Sequence, residues 1–215
     1  MAPGAVRPGS SVPPEYAWST REVLRTRSFW LIALTTFLSV SSSSVIGFNM
    51  VPYLHEEAHL STTQAAGVLS VSTLCALASL AWGSVAERFT PRRCIIGTLL
   101  GGAGTVLFLV SVDSLATAYA FGLLWGIVSS SQILVYMLLA DYYGQASYGG
   151  IAGAMRPFEA GGLGVGQSVG ALLYDLTGNY HGLILAALVT YVVTVLLMIL
   201  ARPPAVPQAS KASAV

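Results

Sequence analysis

Charged side chains fall at the joints of this 215-residue chain, leaving six long runs without charge: 28–55, 58–86, 94–112, 114–140, 142–174 and 176–201. Only the fifth run is interrupted, by Arg156 and Glu159. An α-helix needs roughly 20 apolar residues to cross about 30 Å of hydrocarbon, and every run is about that long or longer. The joints also sort by sign. Arg7, Arg21, Arg25 and Arg27 precede the first run, Arg88, Arg92 and Arg93 separate the second from the third, and Arg202 and Lys211 follow the sixth. Glu56 with Glu57, Asp113, and Asp175 occupy turns that hold no Lys or Arg. This positive-inside alternation places both termini on the cytoplasmic side. The expected fold is an all-α membrane protein with six transmembrane helices.

Composition excludes several other classes. Charged residues make up only 9% of the chain, far below the roughly 25% of soluble domains. A net charge of +1, with the basic residues at membrane edges, argues against a nucleic-acid partner. Cys75 lies mid-span and Cys94 at an inner end, without metal-ligand spacing, so neither a disulfide, a metal nor another cofactor is expected. No phosphate-binding glycine loop is present, and no Ser–His pair falls at membrane depth, since His55, His59 and His181 sit in outer turns. Residues 1–19 read as a disordered tail or linker and 203–215 as a disordered cytoplasmic tail. Between them, 20–27 reads as an amphipathic interfacial segment leading into a bundle over 28–202. The spans are expected at about 28–53, 62–85, 94–112, 116–140, 148–174 and 182–201.

Several spans bring polar residues onto one face. Ser39, Ser42 and Asn49 share a side of the first, Ser72, Cys75 and Ser79 of the second, and Ser129, Gln132 and Tyr136 of the fourth. Gly97 with Gly101, Gly149 with Gly153, and Gly162, Gly166 and Gly170 follow the small-xxx-small spacing of close helix contacts. The sixth span is almost wholly apolar, as suits a helix that packs and faces lipid. A serine in such a helix can equally bond its own backbone, and Pro157 can simply kink the fifth span. Polar sides on the first, fourth and fifth helices together would enclose an aqueous path or a binding cavity.

Arg156 and Glu159 are the sharpest single clue. A charge near the bilayer centre costs about 2.5–3.5 kcal/mol on insertion scales, and such residues generally serve a purpose. Three residues apart on a helix, they lie close enough to pair, and Gln167, eleven residues beyond Arg156, returns to the same face. Two readings stand side by side. One is a self-neutralising pair that fixes packing. The other is a site in which Arg156 grips an anion and Glu159 takes up a proton.

The inner joint GSVAERFTPRR at 83–93 resembles the cytoplasmic signature of the major facilitator superfamily, with Gly83, Ala86, Glu87, Arg88 and Arg92 in matching places and Thr90 and Pro91 departing from it. ADYYG at 140–144, YGGIAG at 148–153, and GQ at 166–167 followed by GALLYDLTGNY at 170–180 look like the tenth and eleventh helices of bacterial monocarboxylate transporter-like (oxalate/formate antiporter-like) members. WSTREVLRTRSFW at 18–30 looks like the linker that runs into helix seven. The resemblance covers about 15–203. Gln145 and Ala146 stand where basic residues are usual, Gln167 where Pro is common, and the second span lacks the Arg of many carboxylate carriers.

The resemblance implies the C-terminal half of a twelve-helix transporter, built as a 3+3 inverted repeat, with the substrate between halves. The expected partners are the lipid bilayer, a small solute such as an organic anion with or without a proton, and a missing N-terminal six-helix half or a second copy. The expected place is the bacterial inner membrane. Arg156, Glu159, Gln132, Asn49, Gln167, Ser42 and Tyr136 are the candidates for substrate binding or coupling. Gly83, Glu87, Arg88 and Arg92 are the candidates for a conformational latch. A non-transporting assembly or regulatory protein, or a half-size transporter that dimerises, remains open on the sequence, and enzymatic activity is not expected.

Overall fold

A computed structural model describes residues 17–205 of the protein, the side chain of Ala76 apart. The helices in chain order are α1 (Thr20–Val23), α2 (Arg27–Glu56), α3 (Thr62–Leu74), α4 (Ser79–Arg88), α5 (Pro91–Leu109), α6 (Leu115–Ser129), α7 (Ile133–Tyr143), α8 (Tyr148–Thr177) and α9 (His181–Leu200). Local chemistry sets their ends. Ser61 with Gln64 and Ser114 with Thr117 form capping boxes at the starts of α3 and α6, satisfying amide donors that the first turn leaves free. Pro91 opens α5, where its missing N–H costs nothing. Gly178, at φ +64°, closes α8 in the left-handed conformation that favours glycine.

By length and composition, four segments among the described residues can cross a membrane: α2, α5, the α6–α7 pair over Leu115–Tyr143, and α9. The α3–α4 pair makes a fifth, bent by 45°. At 30 residues α8 is long enough, but glycine, Arg156 and Glu159 dilute its apolar character. Each of the six runs is mostly helical, the second and fourth as two helices apiece.

The second and fourth spans are not the continuous rods that their apolar runs predict. A 3-10 turn at Cys75–Ala78 interrupts one and a 3-10 turn at Ser130–Gln132 the other, and the two turns lie against each other. Ser129, Ser130 and Ser131 donate to the carbonyls of Trp125, Ile127 and Val128, and such back-bonding competes with the regular helix ladder. Trp82 Nε1 donates to Ser130 Oγ at 3.1 Å and ties α4 to the break between α6 and α7.

The central helix is α2, flanked by α8 and α9. Gly162 and Gly166 of α8 lie so close to the backbone of α2 at Phe37 and Ser41 that a Cβ would collide with it. Ser41 Oγ donates to Gly162 O at 3.0 Å across this seam. Two other expected pairs behave differently. Gly97, Gly149 and Gly153 have open space beside them, and α5 instead uses Gly102, against which the Tyr191 ring of α9 rests. That ring needs the missing Cβ, so the close approach sits one residue beyond the expected Gly101.

Both ends of the bundle are fastened. At one end Tyr174 and Tyr180 donate to Glu56 Oε2 at 2.9 and 3.1 Å. Burial, reinforced by the Glu56 carboxylate, pushes the Tyr180 phenol well above its ordinary range and keeps it a donor. At the opposite end Arg92 donates to the carbonyls of Met198 and Ile199, Tyr142 to Ala201 O and Ser28 to Arg202 O. The tail expected to extend to residue 19 ends sooner among the described residues, because Trp18 is buried edge-on against Tyr143 and Ser19 caps α1. The segment expected along the membrane surface packs onto the bundle, with Val23 fully buried. Residues 1–16 and 206–215, with Arg7 and Lys211, lie outside the described residues.

Candidate functional site

The interrupted run of the sequence becomes a three-residue cluster between α7 and α8. Arg156 Nη1 lies 3.1 Å from Glu159 Oε2, and the Tyr136 hydroxyl donates to Glu159 Oε1 at 2.7 Å. The Arg156 guanidinium stands over the Tyr136 ring, 5.3 Å from its centre, a cation–π arrangement. Both carboxylate oxygens are thus engaged, and this is the one ion pair among the described residues. The two partners differ in exposure, with the Arg156 side chain 73% exposed and that of Glu159 14%. Of the five N–H donors of a guanidinium, Arg156 commits one within the described residues. A planar, exposed donor fork with four bonds to give is suited to a carboxylate or phosphate.

One helical turn before Tyr136 stands Gln132, on the 3-10 turn between α6 and α7. It borders an open groove of about 490 Å³ whose walls include Ser43, Ser44, Phe48, Leu69, Ser129 and Leu163. Gln167 is exposed on the same side of α8 as Arg156. Gln132, Tyr136, Glu159 and Arg156 therefore run in order from the groove along α7 and α8.

The other polar candidates are used in packing. Ser42 is buried and donates to Ala187 O of α9 at 3.3 Å. Asn49 Nδ2 donates to Val45 O of its own helix at 2.8 Å, beside Gly170. The structure instead brings Ser43 and Ser44, their sequence neighbours, to the groove.

The four latch candidates form no ion pair with one another among the described residues. Glu87 and Arg88 are exposed at the end of α4 and make no ion pair among the described residues. Gly83 has no atom within 4 Å of where a Cβ would stand. Arg92 is turned to the last carbonyls of α9, where a cation satisfies free acceptors and complements the helix dipole.

Tyr191 is the polar residue that sequence reasoning missed. Buried in α9, it bonds Ser43 Oγ at 3.1 Å and, with Thr35 and Thr98, borders an internal cavity beside Gln132. Its signal was present as the lone tyrosine in the middle of the most apolar span. Among the described residues no three His, Cys, Asp or Glu side chains gather as metal ligands.

The family model of the major facilitator superfamily matches residues 32–215. Among solved structures, the fold is similar to a crystal structure of the major facilitator superfamily transporter FucP in the outward conformation, with a TM-score of 0.71 at 18% identity. That likeness covers 86% of this chain and 46% of FucP, so the chain spans about half the length of the transporter it matches. A comparison with curated protein sequences gave no match. With an all-helical fold of this shape and a family match over most of its length, the chain belongs to the major facilitator superfamily.

Proposed function

We propose that this chain is the C-terminal six-helix half, a 3+3 inverted repeat, of a secondary active transporter that moves a small organic anion by alternating access. Membrane transport is the coarser part of this reading and rests on family membership. The anion is the finer part, and the observation that carries it is the exposed Arg156 fork, held in place by Glu159 and Tyr136. Glu159 supplies the coupling. A proton arriving on its carboxylate weakens the pair with Arg156 and frees the guanidinium, so anion and proton can travel together. The groove beside Gln132, with Gln167 on the same side as Arg156, supplies one wall of the path. A second six-helix bundle, either an N-terminal half or another copy, supplies the other wall within a bacterial inner membrane. The monocarboxylate-like branch agrees with a small carboxylate as cargo.

The test is uptake of a panel of radiolabelled carboxylates by cells producing the transporter with its completing half. Arg156→Ala should reduce kcat/KM by about 100-fold, the cost of losing a charged hydrogen-bonding partner, and Arg156→Lys should recover only part of it. Uptake unchanged by Arg156→Ala would sink the anion reading while leaving family membership intact.

A further inference from the structure

Between α2, α5, α9 and the break of α6–α7 lies an internal cavity of about 40 Å³, inside this six-helix bundle. Its wall carries an unusual number of oxygens and no charged, histidine or cysteine side chain. Five of its hydroxyls already donate their proton to a carbonyl of their own helix: Thr36 to Ile32, Ser39 to Thr36, Thr98 to Ile95, Ser129 to Trp125 and Ser131 to Val128. A hydroxyl has one proton and two lone pairs. With the protons committed, what these side chains offer the cavity is lone pairs.

Two more groups on the same wall are unpaired. Thr35 is 2% exposed and its Oγ1 has no hydrogen-bond partner, which ordinarily costs about 1–3 kcal/mol. The Gln132 amide makes no hydrogen bond among the described residues, although it borders the cavity. The protons still unspent, on Thr35 and the Gln132 amide, are outnumbered by the lone pairs of the wall, and that excess of acceptors suits an occupant that brings positive charge.

We propose that this cavity is a binding site for a monovalent cation, sodium by its size. Ca²⁺ sites draw on carboxylates, and softer metals prefer nitrogen or sulfur, so the all-neutral oxygen wall excludes both. Neutral oxygens alone suffice for a singly charged ion, as rings of carbonyls do in channel filters. A water needs about 10–15 Å³, so the volume accepts one small cation with one or two waters. The 3-10 turn at Ser130–Gln132 gives the site an interrupted helix, a common setting for coupling ions. Binding here is separate from the anion reading, because it needs neither Arg156 nor a substrate.

The experiment follows thermal unfolding of the purified chain in nanodiscs, in sodium, potassium or N-methylglucamine chloride at equal ionic strength, with equilibrium dialysis of radioactive sodium alongside. Sodium should raise the unfolding temperature saturably and more than potassium does. Thr35→Val, which removes only the unpaired hydroxyl, should leave the fold intact and lower sodium affinity about tenfold. Thr35→Ser should restore the affinity. Should Thr35→Val fail to fold, Ser39→Ala reads the same loss. An equal response to all three salts, or no sodium bound to folded protein, means that the cavity holds water alone and overturns the proposal. Neither result touches the transport reading, since no substrate is present.

Discussion

Helices α8 and α9 both pack on α2, yet α9 turns an apolar surface outward and α8 a mixed one with a polar strip. The outward residues of α9 include Leu185, Val189, Val192 and Leu196, each more than half exposed. Those of α8 mix Arg156, Gln167, Ser168 and several glycines with Leu163, Val165, Val169 and Leu172. Lipid chains are as apolar as leucine and accept the first surface without cost. They cannot satisfy the guanidinium or the amide of the second. Lipid can cover the outward face of α9, whereas the polar strip of α8 is better served by water or a polar surface. Length alone hides this division, because both helices are of spanning length.

The comparison breaks most sharply at the seam beneath α8. Gly166→Leu forces a side chain into Ser41 and Ser44 of α2, and we expect a loss of about 3 kcal/mol or more, seen as a lower unfolding temperature. Next comes the outward surface itself. In a chain with Cys75→Ser and Cys94→Ala, a cysteine placed by Gly164→Cys should react with a membrane-impermeant maleimide at least about tenfold faster than one placed by Val192→Cys, because the thiolate needs water to form. Equal rates would mean that both faces meet lipid. Glu159→Leu leaves the Tyr136 hydroxyl without its acceptor and Arg156 without its counter-charge, and should cost about 1 kcal/mol in the same unfolding assay. Leu196→Ala on α9 should cost less than about 0.5 kcal/mol, since only contact with lipid changes.

The helical segments were legible because hydrocarbon imposes a length and a sign rule that charges reveal directly. The Arg156–Glu159 pair was legible for the same reason, since a charge inside an apolar run stands out. Tyr136 as the third member required three-dimensional proximity, 23 residues from Glu159 along the chain. Ser42 and Ser43 show a finer limit. They are neighbours in sequence, but a helix turns about 100° per residue, so one meets the α9 backbone and the other the groove. Periodicity alone gives the faces and not which neighbour each face will meet. Arg92 teaches the same lesson, because a signature names the residue while its partner, the end of α9, lies more than 100 residues away in the chain.

The fastenings at the two ends of the bundle have a mechanical consequence. Glu56 joins α2, α8 and α9 at one end, while Arg92, Tyr142 and Ser28 hold the C-terminal end of α9 to α5, α7 and α2 at the other. The uninterrupted helices α2, α8 and α9 therefore act as struts. The joints of the frame are the adjoining turns at Cys75–Ala78 and Ser130–Gln132, at its waist. A bundle tied at both rims thus keeps its breaks in regular helix at mid-height, where Gln132 borders the groove.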